Sequence, residues 1–335
     1  MTDLVSLREG IALQPHALEA SCQATSGVLD RTDLLPLKGS AIALVGIGAS
    51  LYAATAGAAQ MRAQGLRAFA FPGTDLADPS TDAADAYIAV SASGRSVEPA
   101  KAMEVRPGAA TYGIAKTADT PLAKVVGAMI GTGSGVDSRP NSTSYVGSMQ
   151  ALGLIADRVG RPSSFDWSTL GQIAAAVLAD IGPAVVRASV LLAGRTALDC
   201  VGAGAARGTA GYASLLLREA VRVPAQSWDT LNFLHGPMES NDPGTGILLF
   251  GDDREVRLAE DLAGFGIPTV LVTGIEVGEK ANLATIPVPR LGNELAEAIV
   301  EAIPVQLLVA DLAEAAGLPK CEFRYRQTDT KLGTP

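Results

Sequence analysis

The sequence predicts an α/β protein of two lobes, each a parallel sheet covered by helices on both faces. Three observations predict it. The chain has 335 residues, more than one core of ordinary size holds, so two units of about 150 residues are expected. Hydrophobic residues make up 48% and charged residues 18%, which fills a large core and argues against disorder. From residue 41 onward, short apolar runs alternate with Ala-rich segments of helical length. That alternation is the pattern of a parallel sheet sandwiched by helices.

The elements follow in order. Residues 4–30 read as helix with an interruption at Gln14-Pro15. Pro15 can open a second helix, because a missing N–H is harmless at the first helical position. Apolar runs at 41–45, 68–71, 87–91, 111–115 and 127–131 read as strands, and 50–64, 96–104 and 145–158 as helices. Residues 39–61 carry no charge and are long enough to span a bilayer. The apolar part is short, however, and ends in Gly46-Ile47-Gly48-Ala49-Ser50 before the Ala-rich part begins. That order reads as buried strand, tight turn and packed helix.

A polar, turn-rich break at 160–166 divides a first lobe, residues 1–160, from a second, residues 161–335. A helix over 167–188 is expected to bridge them. The pattern then restarts with a strand at 198–202, a helix at 206–222, strands at 246–250, 268–273 and 284–287, and a final helix at 292–315. The strand–Gly–helix openings at 41–64 and 198–222 look like a weak internal duplication.

Charge and composition exclude several functions. The net charge is −9, aromatics are 4%, and no Lys/Arg run occurs, so nucleic acid is not an expected partner. A small anion is different, because a local site can hold it despite global acidity. Cys22, Cys200 and Cys321 are scattered without C-x-x-C spacing, which points to a reducing, cytoplasmic location. The histidines are two, His16 and His235, too few for a histidine-rich metal site. No metal and no cofactor are expected. The start carries no basic segment followed by an apolar one, so neither a signal peptide nor a membrane partner is expected.

The strongest local signal is Tyr87-Ile-Ala-Val-Ser-Ala-Ser-Gly-Arg-Ser-Val-Glu-Pro-Ala. An apolar strand ends at Val90, and a helix opens near Val97. Between them lie Ser91, Ala92, Ser93, Gly94, Arg95 and Ser96. In open α/β sheets ligands sit beyond the carboxyl ends of strands. A helix N-terminus there offers free N–H groups and a partial positive charge to a phosphate. Three hydroxyls add donors, and Gly94 lets the backbone approach an oxygen. The same residues would also serve a plain turn, with Ser96 capping the helix. Neither a Walker A motif nor G-x-G-x-x-G spacing is present.

At this loop a resemblance appears. Residues 90–98 resemble the S-x-S-G-x-[ST]-x-[DE] motif of SIS (sugar isomerase) domains. Residues 9–18, Glu-Gly-Ile-Ala-Leu-Gln-Pro-His-Ala-Leu, look like the N-terminal E-I-x-x-Q-P-x-A-L of double-SIS proteins. Gly46-Ile-Gly-Ala-Ser50 is similar to their G-x-G-[TS]-S turn. Leu217-Arg-Glu219 and Leu234-His-Gly-Pro237 resemble their L-K-E and H-G-P pair. Glu219 and His235 are sixteen residues apart, as in the isomerase half of glucosamine-6-phosphate synthase.

The resemblance implies two flavodoxin-like SIS lobes and an aldose–ketose isomerase acting on a sugar phosphate, or a deaminase/isomerase of amino-sugar phosphates, working as a homodimer. It implies substrate contacts from Gly48, Ala49, Ser50, Ser91, Ala92, Ser93, Gly94 and Ser96. It implies that Glu219 moves a proton between C1 and C2, that His235 helps open the ring, often from the other subunit, and that a C-terminal lysine, here Lys331, meets the open-chain carbonyl.

The chemistry suits the residue types. A desolvated carboxylate is a sound base near neutral pH, and histidine titrates in the working range. Plainer roles stay open, an ion pair of Glu219 with Arg222, a turn at His235 and a solvated terminal position for Lys331. Departures are also visible. Leu216 stands where the synthases carry a Lys, and Asn232 where the family often has Glu. The tail is only loosely like P-R-x-L-x-K-V-T, leaving Lys331 three residues late when aligned by Arg324. No near-terminal Cys nucleophile is present, so glutamine is not an expected ammonia donor. Asn232, Arg207 and residues 142–145 are candidates for sugar specificity. A non-catalytic sugar-phosphate sensor is the alternative, and an oligomeric scaffold a third.

Overall fold

The computed structural model describes residues 4–278, 280–325 and 327–333. The chain opens with β1 (Leu4–Val5), α1 (Leu7–Ala12) and α2 (Gln14–Leu29), with Pro15 in the first turn of α2. The first lobe follows as β2 (Ala41–Gly46), α3 (Ala49–Ala63), β3 (Arg67–Pro72), β4 (Ala86–Val90), α4 (Val97–Glu104), β5 (Ala110–Ala115) and β6 (Ala128–Gly131). Then come β7 (Asp137–Ser138), which pairs with β1, and α5 (Thr143–Val159).

The second lobe contains α6 (Leu170–Asp180), α7 (Gly182–Leu192), β8 (Leu198–Gly202), α8 (Ala206–Leu216), β9 (Ala225–Asp229), α9 (Thr230–Leu234), β10 (Gly246–Phe250), α10 (Arg254–Gly264), β11 (Thr269–Thr273), β12 (Leu283–Pro287) and α11 (Glu294–Ala315). Among the described residues no single helix is long and apolar enough to cross a membrane.

Both sheets are five-stranded and parallel. Their orders are β3-β2-β4-β5-β6 and β12-β11-β10-β8-β9. β4, β10 and β11 are buried along their whole length, which is what helices on both faces impose. In each sheet the chain leaves one central strand in one direction and returns on its other side. The crevices so formed lie between β2 and β4 and between β8 and β10, where open α/β sheets bind ligands.

Three expectations change. The bridging helix over 167–188 is two helices, α6 and α7, set 63° apart. Pro183 supplies no N–H to a continuous helical ladder, so the segment breaks before it. The helix at 206–222 does not stay α-helical, because residues Leu217–Val221 form a π-helical turn. The edge strand β9 goes unpredicted because Ala-Gln-Ser-Trp-Asp carries no apolar run.

One hydrophobic core runs through both lobes. It includes Ile42, Leu44 and Ile88 of the first sheet, Val270 and Ile286 of the second, and the inner faces of α3, α5, α8 and α11. The outer face of each sheet has its own smaller cluster, around Tyr87 and Met103 in the first lobe and Ile247 and Leu262 in the second. The two lobes meet closely where α3 crosses α8. A Cβ on Gly208 would lie 2.6 Å from the Tyr52 carbonyl oxygen, and one on Gly211 would lie 2.1 Å from Tyr52 Cδ1. Only glycines admit that approach.

Candidate active site

The loop at 91–96 joins β4 to α4 in the first crevice. Ser91 continues the ladder, its N–H donating to the Ile114 carbonyl at 3.0 Å. Its buried Oγ accepts from the Ser96 N–H at 3.4 Å. Gly94 has φ +61°, and a Cβ there would lie 2.3 Å from Thr120 Oγ1. Both the left-handed backbone and the contact require glycine. Thr120 Oγ1 is buried without a hydrogen-bond partner among the described residues. Ser93 is exposed. Ser96 stands directly before α4, yet its side chain makes no capping hydrogen bond. Its Oγ accepts instead from Lys331 Nζ at 2.9 Å.

The C-terminal tail brings that lysine. Residue 331 bridges to Ser96 in antiparallel fashion, the Leu332 N–H donates to the Arg95 carbonyl at 2.7 Å, and the Val97 N–H donates to the Thr330 carbonyl at 3.4 Å. Arg95 Nε donates to the Leu332 carbonyl at 3.0 Å. The pKa of Lys331 is lowered from the ordinary lysine value, chiefly by desolvation; Glu98 opposes the shift, and Arg139 and Arg95 reinforce it.

The turn at 46–50 lies beside this loop, since β2 and β4 are hydrogen-bonded neighbours. Gly48 has φ +56°, and Ala49 and Ser50 open α3. A Cβ on Gly48 would lie 3.9 Å from Leu215 Cδ2. The first lobe's turn thus abuts the end of α8, four residues before Glu219.

Glu219 sits on the π turn, a rare geometry that recurs at functional sites. Burial pushes its carboxyl up to about 7, and Arg139 pulls against that shift. No ion pair joins Glu219 to Arg222 among the described residues. Arg222 takes a left-handed backbone, φ 63°, and its Nη2 donates to the Glu322 carbonyl at 3.0 Å, so the turn carrying Glu219 is tied to the tail. Leu216, at the position of the synthases' lysine, is fully buried in the core. Arg139 lowers the pKa of this carboxylate through its charge, without an ion pair among the described residues.

Sequence reasoning missed Arg139. It lies on the loop between β7 and α5, close enough in charge terms to act on both Glu219 and Lys331. The available signal was an arginine inside Ser138-Arg-Pro-Asn-Ser-Thr-Ser, a hydroxyl-rich segment that opens a helix.

The other candidates fare differently. The hydroxyls of residues 142–144 are spent inside their own loop. Buried Asp137 accepts the Ser144 hydroxyl, the Ser142 N–H at 2.9 Å and Asn141 Nδ2 at 2.6 Å, and Thr143 Oγ1 donates to the Val136 carbonyl at 2.7 Å. Tyr145 stacks on Tyr212 with ring centroids 3.7 Å apart. Arg207 lies in the first turn of α8, twelve residues and about 18 Å of helix from Glu219. Asn232 and His235 are exposed at the end of α9, beyond the edge strand β9. No hydrogen bond joins the His235 side chain to any described residue.

A charged cluster lies beyond the ends of β10, β11 and β12 in the second lobe. Asp252 follows β10 and accepts from Thr273 Oγ1 at 2.6 Å, the Gly274 N–H at 2.8 Å and Arg290. Arg290 also reaches Glu297 at 3.3 Å and Glu301 at 3.4 Å.

No family model matches the chain, and no curated protein matches it in sequence. Solved structures do. The C-terminal domain of glucosamine-fructose-6-phosphate aminotransferase from Francisella tularensis has a TM-score of 0.76 and 15% identity over 93% of this chain and 96% of that one. Tagatose-6-phosphate ketose/aldose isomerase from Escherichia coli has a TM-score of 0.77 and 17% identity over 96% of each chain. Glucosamine-6-phosphate deaminase from Thermotoga maritima has a TM-score of 0.74 and 20% identity over 94% of this chain and 96% of that one. The chain has the double-SIS fold. In double-SIS terms, the loop at 91–96 belongs to the first SIS lobe and the π turn with Glu219 to the second. At these identities the likeness is one of architecture.

Proposed function

We propose that this double-SIS protein binds a sugar phosphate in the first crevice and interconverts its aldose and ketose forms. One observation carries the reading. A half-buried carboxylate with a pKa of about 7, Glu219, stands on the element abutting the turn at 46–50, next to the hydroxyl and amide loop at 91–96. The phosphate would take Ser93, Ser96 and the loop amides, with Lys331 nearby. In the open-chain sugar Glu219 would remove the C2 proton and return it to C1, while a proton passes from O2 to O1 across the enediol. Half deprotonated near neutral pH, it is matched to both directions of transfer. His235 would open the ring, supplied by the second subunit of a homodimer. With nitrogen at C2 the same proton transfer would give a C2 imine, and hydrolysis by one water would then release ammonia and leave the ketose phosphate.

The test is exchange of the C2 proton with solvent deuterium across hexose and hexosamine 6-phosphates. Exchange is expected, rising with pH through about 7 as Glu219 loses its proton, and Glu219→Gln should abolish it while ligand-induced thermal stabilisation persists. Ser91→Ala/Ser93→Ala should remove the stabilisation itself. Undiminished exchange in Glu219→Gln would take this residue out of the reaction. A second reading, a sugar-phosphate binding protein without turnover, is favoured by the exposure of His235 in the single chain. Binding without exchange in the wild type would select it.

A further inference from the structure

We propose that Lys331 is a ligand of the phosphate and not a contact of the sugar carbonyl: the C-terminal tail lays its ammonium on Ser96, so the anion is held between the tail and the loop at 91–96. The inference rests on the phosphosugar reading above and names a further residue of its phosphate site.

The backbone fixes where this lysine stands. Residue 331 forms an antiparallel bridge to Ser96. On one side of it the Thr330 carbonyl accepts from the Val97 N–H at 3.4 Å, and on the other the Leu332 N–H donates to the Arg95 carbonyl at 2.7 Å. The Leu332 side chain packs against the outer cluster of the first lobe, which holds Met103 and Leu122. Successive side chains of an extended segment point to opposite faces. Lys331 is therefore turned away from that cluster, and its Nζ meets Ser96 Oγ at 2.9 Å.

Both groups have capacity left. Ser96 stands at the start of α4, yet its hydroxyl caps no N–H of that helix. It accepts from Lys331, so its own proton is available to a ligand oxygen. An ammonium carries three N–H bonds. One goes to Ser96, and among the described residues Lys331 has no other side-chain hydrogen bond and no ion pair. Arg95 is the loop's more obvious cation, but its Nε donates to the Leu332 carbonyl at 3.0 Å. The loop's arginine holds the tail, and the tail returns a lysine to the loop.

A phosphate fits this arrangement. An ammonium beside a hydroxyl with a spare proton is complementary to an oxyanion. It also supplies local positive charge in a protein whose net charge is −9. In an open-chain hexose 6-phosphate the carbonyl lies at the opposite end of the carbon chain from the ester. An amine resting on the loop that holds the phosphate stands at the wrong end for C1 and C2, and the proton transfer is left to Glu219.

Two probes test it. Fructose 6-phosphate carries both ends of the substrate; glycerol 3-phosphate carries the phosphate ester and no carbonyl. By calorimetry the wild type should bind both, glycerol 3-phosphate more weakly. Lys331→Met should weaken both by the same factor, about tenfold, in keeping with a hydrogen bond between charged groups. Lys331→Arg should restore part of both affinities. Lys331 is exposed, so both variants should fold. A loss confined to fructose 6-phosphate would return the amine to the carbonyl and overturn the proposal. Undiminished binding of both probes by Lys331→Met overturns it as well, and so does a loss that Lys331→Arg leaves wholly unrestored, since the charge would then not act on the phosphate. In each of these cases the phosphosugar reading stands. Binding of neither probe by the wild type overturns both.

Discussion

At the scale of single residues, two glutamates are driven to the same pKa by burial and serve opposite ends. Glu219 is half-buried, whereas Glu301 is enclosed beneath Arg290 with an oxygen that finds no hydrogen-bond partner among the described residues. Burial pushes Glu301 up to about 7, opposed by Arg290. Asp252, Glu297 and Glu301 share that one arginine, and three carboxylates against one cation favour keeping a proton. Its consequence is a stability term with a definite sign. The folded state holds this proton more tightly than the unfolded chain, so the contribution is complete below pH 4.5 and is lost as pH rises through about 7. Glu301→Gln imitates the protonated acid. It should unfold at higher urea than the wild type at pH 8, by up to about 3 kcal/mol, and should match it near pH 4. Equal midpoints at pH 8 would show that Glu301 is ionised at no cost in the native protein.

At the scale of elements, the site is made by how strands and helices end. The loop at 91–96 works because β4 stops at Val90 and Gly94 turns left-handed against Thr120. Gly94→Ala adds backbone strain of about 1–3 kcal/mol and a clash with Thr120 beside this loop. Circular dichroism should be unchanged, whereas stabilisation by hexose 6-phosphates should disappear. Full retention of that stabilisation would place the phosphate elsewhere. Much of this was legible in the sequence, because buried parallel strands leave continuous apolar runs and the serine loop interrupts one of them. What escaped had physical reasons. β9 is an edge strand with a polar face, so no apolar run marks it. The π turn holding Glu219 differs from α-helix by one hydrogen-bond step, invisible to side-chain periodicity. Arg139 acts on the charge of Glu219 from a loop that the Tyr212–Asn141 hydrogen bond ties to α8, and the position of Lys331 depends on tail-to-loop backbone pairing that spacing along the chain does not encode.

At the scale of the whole molecule, two sheets drawn from separate halves of the chain share one core. The cleft exists only because the helices between them approach closely. α3 and α8 meet through Gly208, Gly211, Tyr52 and Ala56, and that crossing sets the turn at 46–50 against the end of α8. The continuous inner core through α3, α5, α8 and α11 argues that neither half folds alone and that urea unfolds the chain in one transition. Gly211→Ala tests the crossing itself. The new methyl would meet the Tyr52 ring at 2.1 Å, so either the ring or the helix must move, an overpacking cost of about 1–3 kcal/mol. Because the displaced helix carries Glu219, sugar-phosphate exchange should fall together with stability. Gly264→Ala is the control, at the end of α10 with no atom within 4 Å of the added carbon; it should leave both properties intact. If Gly211→Ala lowers stability but exchange at C2 proceeds at the wild-type rate, the alignment of the two lobes does not govern the chemistry, and Glu219 reaches its substrate by some route other than the α3–α8 crossing.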